Sequence, residues 1–127
     1  MNQREKNNKI RGMKLLTKEI RKKLPPLYSQ EDKGSKAIAH AKFFTPDSSW
    51  TWYGLCGELV LDDAGSEIDF QFFGLVDGLE KELGYFSLSE LESVNGPMGL
   101  PIERDLYWQP QTLEEIAPEM FKGGDGA

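Results

Sequence analysis

Apolar residues recur in period two through the middle of the chain and in period four near its start, and the two periods predict different elements. "AIAHAKFF" (37–44) alternates Ala37, Ala39 and Ala41 with Ile38, His40 and Lys42, as a strand does. "TPDSS" supplies a Pro-Asp turn, and "WTWYGLCGELVLD" (50–62) returns as a long strand. Gly54 and Gly57 inside it predict a bulge or bend. After the turn "DDAGSE", the segment 68–76 puts Ile68, Phe70 and Phe72 on one face, while Asp69 and Gln71 point the other way. These runs predict a three-stranded antiparallel meander whose sheet is half wet.

Helical signals flank the meander. Thr17 can cap a helix in which Leu16, Ile20 and Leu24 share a face, and Pro25-Pro26 end it. Ser87 with Glu90, and Thr112 with Glu115, are capping boxes for two short helices. Asn95-Gly96-Pro97 terminates the first, and Pro118 breaks the second. Between them, "LEKELG" (79–84) reads as a polar connection, "YFS" as a short extended piece, and 99–108 as a loop with an edge segment. The expected fold is α+β: a small antiparallel sheet, a meander of three or more strands, with short helices packed on one face. Residues 1–12 show no apolar period and are expected to be a disordered basic extension. Residues 13–121 are expected to form a single domain and 122–127 a frayed tail.

Composition sharpens this picture. A length of 127 residues suits one core, and 39% hydrophobic residues suffice to build it. The aromatics, 7 Phe, 4 Tyr and 3 Trp, concentrate in the meander and place the core there. No apolar run approaches the roughly 18 residues of a bilayer span, and the start lacks the apolar stretch of a secretory signal. A lone cysteine, Cys56, excludes an internal disulfide, so the expected location is cytoplasmic. Charge is unevenly spread. Residues 1–24 hold nine Lys/Arg against two Glu, a net of +7, and the remainder holds six against nineteen, a net of −13. Arg4, Lys6, Lys9 and Arg11 could touch nucleic acid, but only weakly and with strong salt dependence, because the acidic body repels phosphates.

Candidate chemistry is sparse. The lone histidine, His40, and Cys56 cannot by themselves close a four-ligand zinc site. Asp62, Asp63, Glu67 and Asp69 crowd a hairpin tip, yet "DDAGSEID" lacks the alternating ligands and closing glutamate of a calcium loop. No phosphate loop, GxGxxG turn or GxSxG elbow occurs, so no catalytic residue, metal or cofactor is expected. Asp77, Glu80, Glu82, Glu90 and Glu92 read mainly as the solvated side of a scaffold. A carboxylate-based hydrolase or transferase using Asp69, Asp77 or Glu90 is the alternative, and it requires them to converge. "WTWY" carries the more specific signal. Trp50 and Trp52 share one strand face and Thr51 and Tyr53 the other, so one pair can serve as an aromatic platform for a protein partner. With Asp62, Asp63, Glu67 and Asp69 as an acidic surface, this predicts a non-enzymatic protein-interaction module.

Four ordered segments carry a family resemblance: "MKLLTKEIRKKLPPLY", "AKFFTPDSSWTWY", "FFGLVDGLEKELGYFSLSELESV" and "GLPIERDLYW". Over residues 13–110 the chain resembles the bacterial family called domain of unknown function 2958, whose members are often carried on plasmids, integrative elements and phages. The segment 54–71 is longer than the family's usual stretch between TWY and FFGL, and residues 1–12 precede its usual start. The resemblance implies an accessory protein of a mobile element and brings no site residues with it. In that setting an acidic domain is expected to inhibit a host DNA-handling or defence protein by occupying its nucleic-acid channel.

Overall fold

The computed structural model describes residues 1–121. At its centre is the expected meander: β2 (Ala41–Phe44), β3 (Thr51–Leu61) and β4 (Glu67–Asp77), antiparallel and joined by the two expected turns. Two further strands extend it. β5 (Lys81–Ser87) pairs with β4, and β6 (Glu103–Arg104) pairs with β2, giving a five-stranded sheet in the order β5-β4-β3-β2-β6. β5 takes in most of the segment expected to be a polar connection. It is an edge strand, with Glu82 and Leu83 at the rim, and an edge that meets solvent needs no continuous apolar run.

The chain also breaks at His40. Ile38–Ala39, here β1, leaves the meander and pairs instead with β7 (Gln111–Thr112) in a separate two-stranded ladder. The predicted bulge lies in β3, where the register slips between Gly54 and Cys56. The slip takes Leu55 out of the ladder, and the buried Gln30 carboxamide donates to its carbonyl at 2.6 Å. The same side chain donates to Ile38 O at 3.0 Å and accepts from Ile38 N at 2.8 Å, so one glutamine pairs three backbone groups, of which the Leu55 carbonyl is buried.

Each face of the sheet carries a buried cluster, which corrects the expectation of a half-wet sheet. One face carries Phe43, Trp52, Phe70, Phe72 and Phe86 under α2 (Lys18–Lys23) and α3 (Leu88–Ser93), with Leu15, Leu24 and Leu91 as the knobs. The rings of Phe72 and Phe86 stack at 5.1 Å, and Phe43 meets Phe72 edge-on at 5.5 Å. The other face is closed by the C-terminal segment except at its β5 edge, where it stays open and Leu83 and Tyr85 are exposed. Leu113 and Ala117, in and just after α4 (Leu113–Ile116), pack on Ala37, Ala39, Leu55, Cys56 and Leu75. Thr17 caps α2, Ser87 caps α3, and Thr112 with Glu115 forms the predicted box on α4.

Residues 1–12 are not a disordered extension. They form α1 (Gln3–Arg11), with an Asn2–Glu5 capping box at its start and Gly12 at φ 72° closing its end. α1 docks through polar groups. Asn7 is fully buried, and its carboxamide donates to the carbonyls of Glu92 and Val94 at 3.0 and 3.3 Å. It thereby caps the open C-terminal end of α3 and exchanges bonds with Asn95. Arg4 pairs with Glu92 at 2.7 Å, and Arg11 donates to Ile102 O. Hydrophobic periodicity cannot register a helix held this way. The expected tail, 122–127, lies outside the described residues.

Candidate functional site

The sequence-predicted residues disperse over four places. Trp50 and Trp52 share a face with ring centroids 5.9 Å apart, but they play different parts. Trp52 is in the core, while Trp50, just before β3, remains 38% exposed. Tyr53 lies on the opposite face against Trp108 at 5.5 Å, with the Lys42 ammonium 5.9 and 5.5 Å from the two rings. Burial raises the Tyr53 phenol pKa, and the charges of Asp77 and Asp105 add to the shift. His40 moves the other way, as burial and then the Lys23 charge disfavour its protonated form.

The acidic residues of the hairpin do not converge. Asp62 Oδ1 accepts from the backbone N–H groups of Ala64 and Ser66, both at 2.9 Å, and so holds the turn itself. Asp63 is exposed beside it, and Glu67 pairs with Arg21 at 3.0 Å. Asp69 accepts from the backbone N–H and hydroxyl of Ser89 at 3.0 and 2.5 Å, and from Phe70 N. Its partial burial acts to raise its pKa, but those bonds and the Arg4 charge outweigh burial and hold the carboxyl below its ordinary value. Among the described residues, no three His, Cys, Asp or Glu come together as a metal site. Asp69 and Glu90 do meet, through a hydrogen-bonded chain of Ser89 and Ser87, at the start of α3. Both hydroxyls there serve the helix end, and Asp77 sits elsewhere, opposite Lys81 in the β4–β5 ladder.

Of the four expected arm cations, Arg4 and Arg11 are bound to the domain. Burial lowers the Arg11 pKa against the opposing pull of Glu92 and Glu103. Lys6 and Lys9 stay exposed on α1.

What the fold builds around Trp50 is a pair of clefts with the indole as the ridge between them. On one side a cleft of ≈ 440 Å³ is lined by Trp50, Trp52, Thr45, Val94 and Pro97. On the other a cleft of ≈ 370 Å³ is lined by Trp50, Val76, Leu79, Glu80 and Glu82. The ring lies so close over Gly78 that a Cβ there would sit 2.3 Å from it, so only glycine accommodates this placement. Behind the far wall Asp47 accepts from Met98 N at 2.7 Å, and its carboxylate fills the space that a Cβ at Gly96 would take. Leu79 is 94% exposed and Met98 82%. Trp50 was legible in the sequence. Val94, Pro97, Gly78 and Leu79 were not, because a helix stop and a turn are punctuation until the fold sets them beside the indole.

The comparisons with known proteins place these elements in a family. Residues 15–116, which include both clefts, match the family described as protein of unknown function DUF2958. The chain belongs to this family. No curated protein and no solved structure matches it. DUF2958 therefore names a lineage without supplying a reaction, and the matched span covers α2 through α4 while α1 lies before it. No described helix is long and apolar enough to cross a membrane.

Proposed function

We propose that this chain is a non-enzymatic protein-interaction module that receives an apolar side chain of its partner in the clefts beside Trp50. The observation that carries the reading is the ≈ 440 Å³ apolar cleft, bounded by a partly exposed indole on one side and by Val94 and Pro97 on the other. A rigid aromatic at the edge of a water-excluding pocket is the usual anchor of a protein interface. Glu80 and Glu82 on the other side of the indole favour basic residues next to that anchor. A host DNA-handling protein, whose nucleic-acid channel is necessarily basic, fits this chemistry and the mobile-element setting that the family resemblance implies. The hydrolase reading has less support, since Asp69 is held in its ionised form as a helix-end acceptor and Asp77 lies apart from it.

Selection of short displayed peptides on the wild-type chain, with counter-selection on Trp50→Ala, tests the proposal. Expected are peptides with one large apolar residue flanked by Lys or Arg, whose binding shifts the tryptophan emission. Recovery of no Trp50-dependent peptides would sink it. Trp52 is unsuited to this test because its truncation opens the core.

A further inference from the structure

The N-terminal pole holds a second groove that the Trp50 clefts do not reach. Three depressions of ≈ 590, ≈ 190 and ≈ 520 Å³ run together beneath α1 and α2. The first and second share Arg21 and Phe70, and the second and third share Leu16 and Leu88, so the three lie side by side as one grooved surface. Its floor is aliphatic: Leu16, Leu59 and Leu88 around the buried edge of Phe70. Its rim is cationic. Arg4 and Arg21 are paired with Glu92 and Glu67, whereas Lys14, Lys18 and Lys22 are exposed and, among the described residues, in no ion pair. Glu58 lines the first depression and Asp69, bonded to Ser89, the second; the three lysines outnumber these two carboxylates.

From this geometry we infer that the groove binds an acidic, extended protein segment carrying aliphatic side chains. The lysine rim selects negative charge, and the leucine floor takes the apolar residues that alternate along such a segment. A nucleic-acid strand has the charge but not the fit. The residues lining the groove include no exposed aromatic ring on which bases could stack, and stacking supplies much of single-strand affinity. The groove and the Trp50 clefts lie toward opposite ends of β3, since Leu59 pairs with Phe70 and Trp52 with Val76. The two sites therefore prefer partners of opposite charge, and the module can bridge them.

The test uses the full chain carrying Trp50→Ala, which silences the first site and keeps the two proposals separable. Short displayed peptides are selected on it and remeasured on the same chain with K14E, K18E and K22E added. All three lysines are exposed, so the fold, checked by circular dichroism, is retained. Expected are peptides rich in Asp and Glu interleaved with Leu, Ile or Val, and an affinity loss of roughly tenfold or more on charge reversal. No enrichment, selection of basic peptides, or an unchanged affinity after reversal would overturn the inference. So would an oligo-dT strand that binds tighter than every selected peptide, which would make this a nucleic-acid groove.

Discussion

The two faces of the sheet are built by different means. The first is an aromatic slab: Phe43, Phe70, Phe72 and Phe86 are large, strand-borne and in ring contact, and helices only cover them. The second buries only small and aliphatic residues such as Ala37, Ala39, Cys56 and Leu75, and leaves Tyr53, Phe73 and Trp108 partly exposed at its margin. It depends on a short C-terminal segment to seal it. Large rings that interlock concentrate stability in a few residues. Small residues require a neighbour brought in from far along the chain. The first face therefore carries the clefts, which need a rigid floor, and the second acts as a closure.

Truncation at each face tests that contrast most strongly. Phe72→Ala is expected to cost about 3–5 kcal/mol and Leu113→Ala about 2–3 kcal/mol, because the four-residue α4 can shift to close its gap. Urea unfolding of both variants measures the difference, and a reversed order would break the comparison. A smaller effect is expected from Asn7→Ala. Removing the buried carboxamide leaves carbonyls at the end of α3 unpaired, at about 1–3 kcal/mol, and speeds amide exchange across Gln3–Arg11. An unchanged melting temperature would mean that α1 contributes nothing and that the free-arm expectation stands. The smallest effect belongs to Asp69→Asn and depends on pH. The folded-state pKa of Asp69 is depressed, so its contribution is full above the ordinary carboxylate range and is lost as pH falls through the folded value. Wild-type and variant stabilities should differ at neutral pH and converge in acid. Curves that stay parallel down through the carboxylate range would remove Asp69 from its assigned role.

The first face was legible in the sequence because Phe70, Phe72 and the flanking caps follow strand and helix periods that need no tertiary knowledge. The second was legible only in outline. Ala37, Ala39 and Cys56 are too small to announce a core, and the break at His40 that sends β1 to β7 depends on a partner distant along the chain. α1 was missed because its anchor is an amide; Asn7 looks like any surface asparagine until Glu92 and Val94 present their carbonyls. β5 was half-missed because Lys81, Glu82 and Gly84 are what an exposed edge strand tolerates. The candidate site followed the same rule. The indole was visible, and the walls that make it a cleft were not.

The pairing of β1 with β7, reinforced by the bond from Leu113 N to Ala37 O, ties a residue in the first third of the chain to one near its end. Closing so long a loop is entropically slow, whereas β3 and β4 are joined by a tight turn and zip locally. During synthesis the hairpin and its aromatic slab can assemble while Leu113 is still inside the ribosome. Domains fold from the N-terminal side during synthesis, so the second face is expected to stay bare until the later segment 111–117 arrives to latch it.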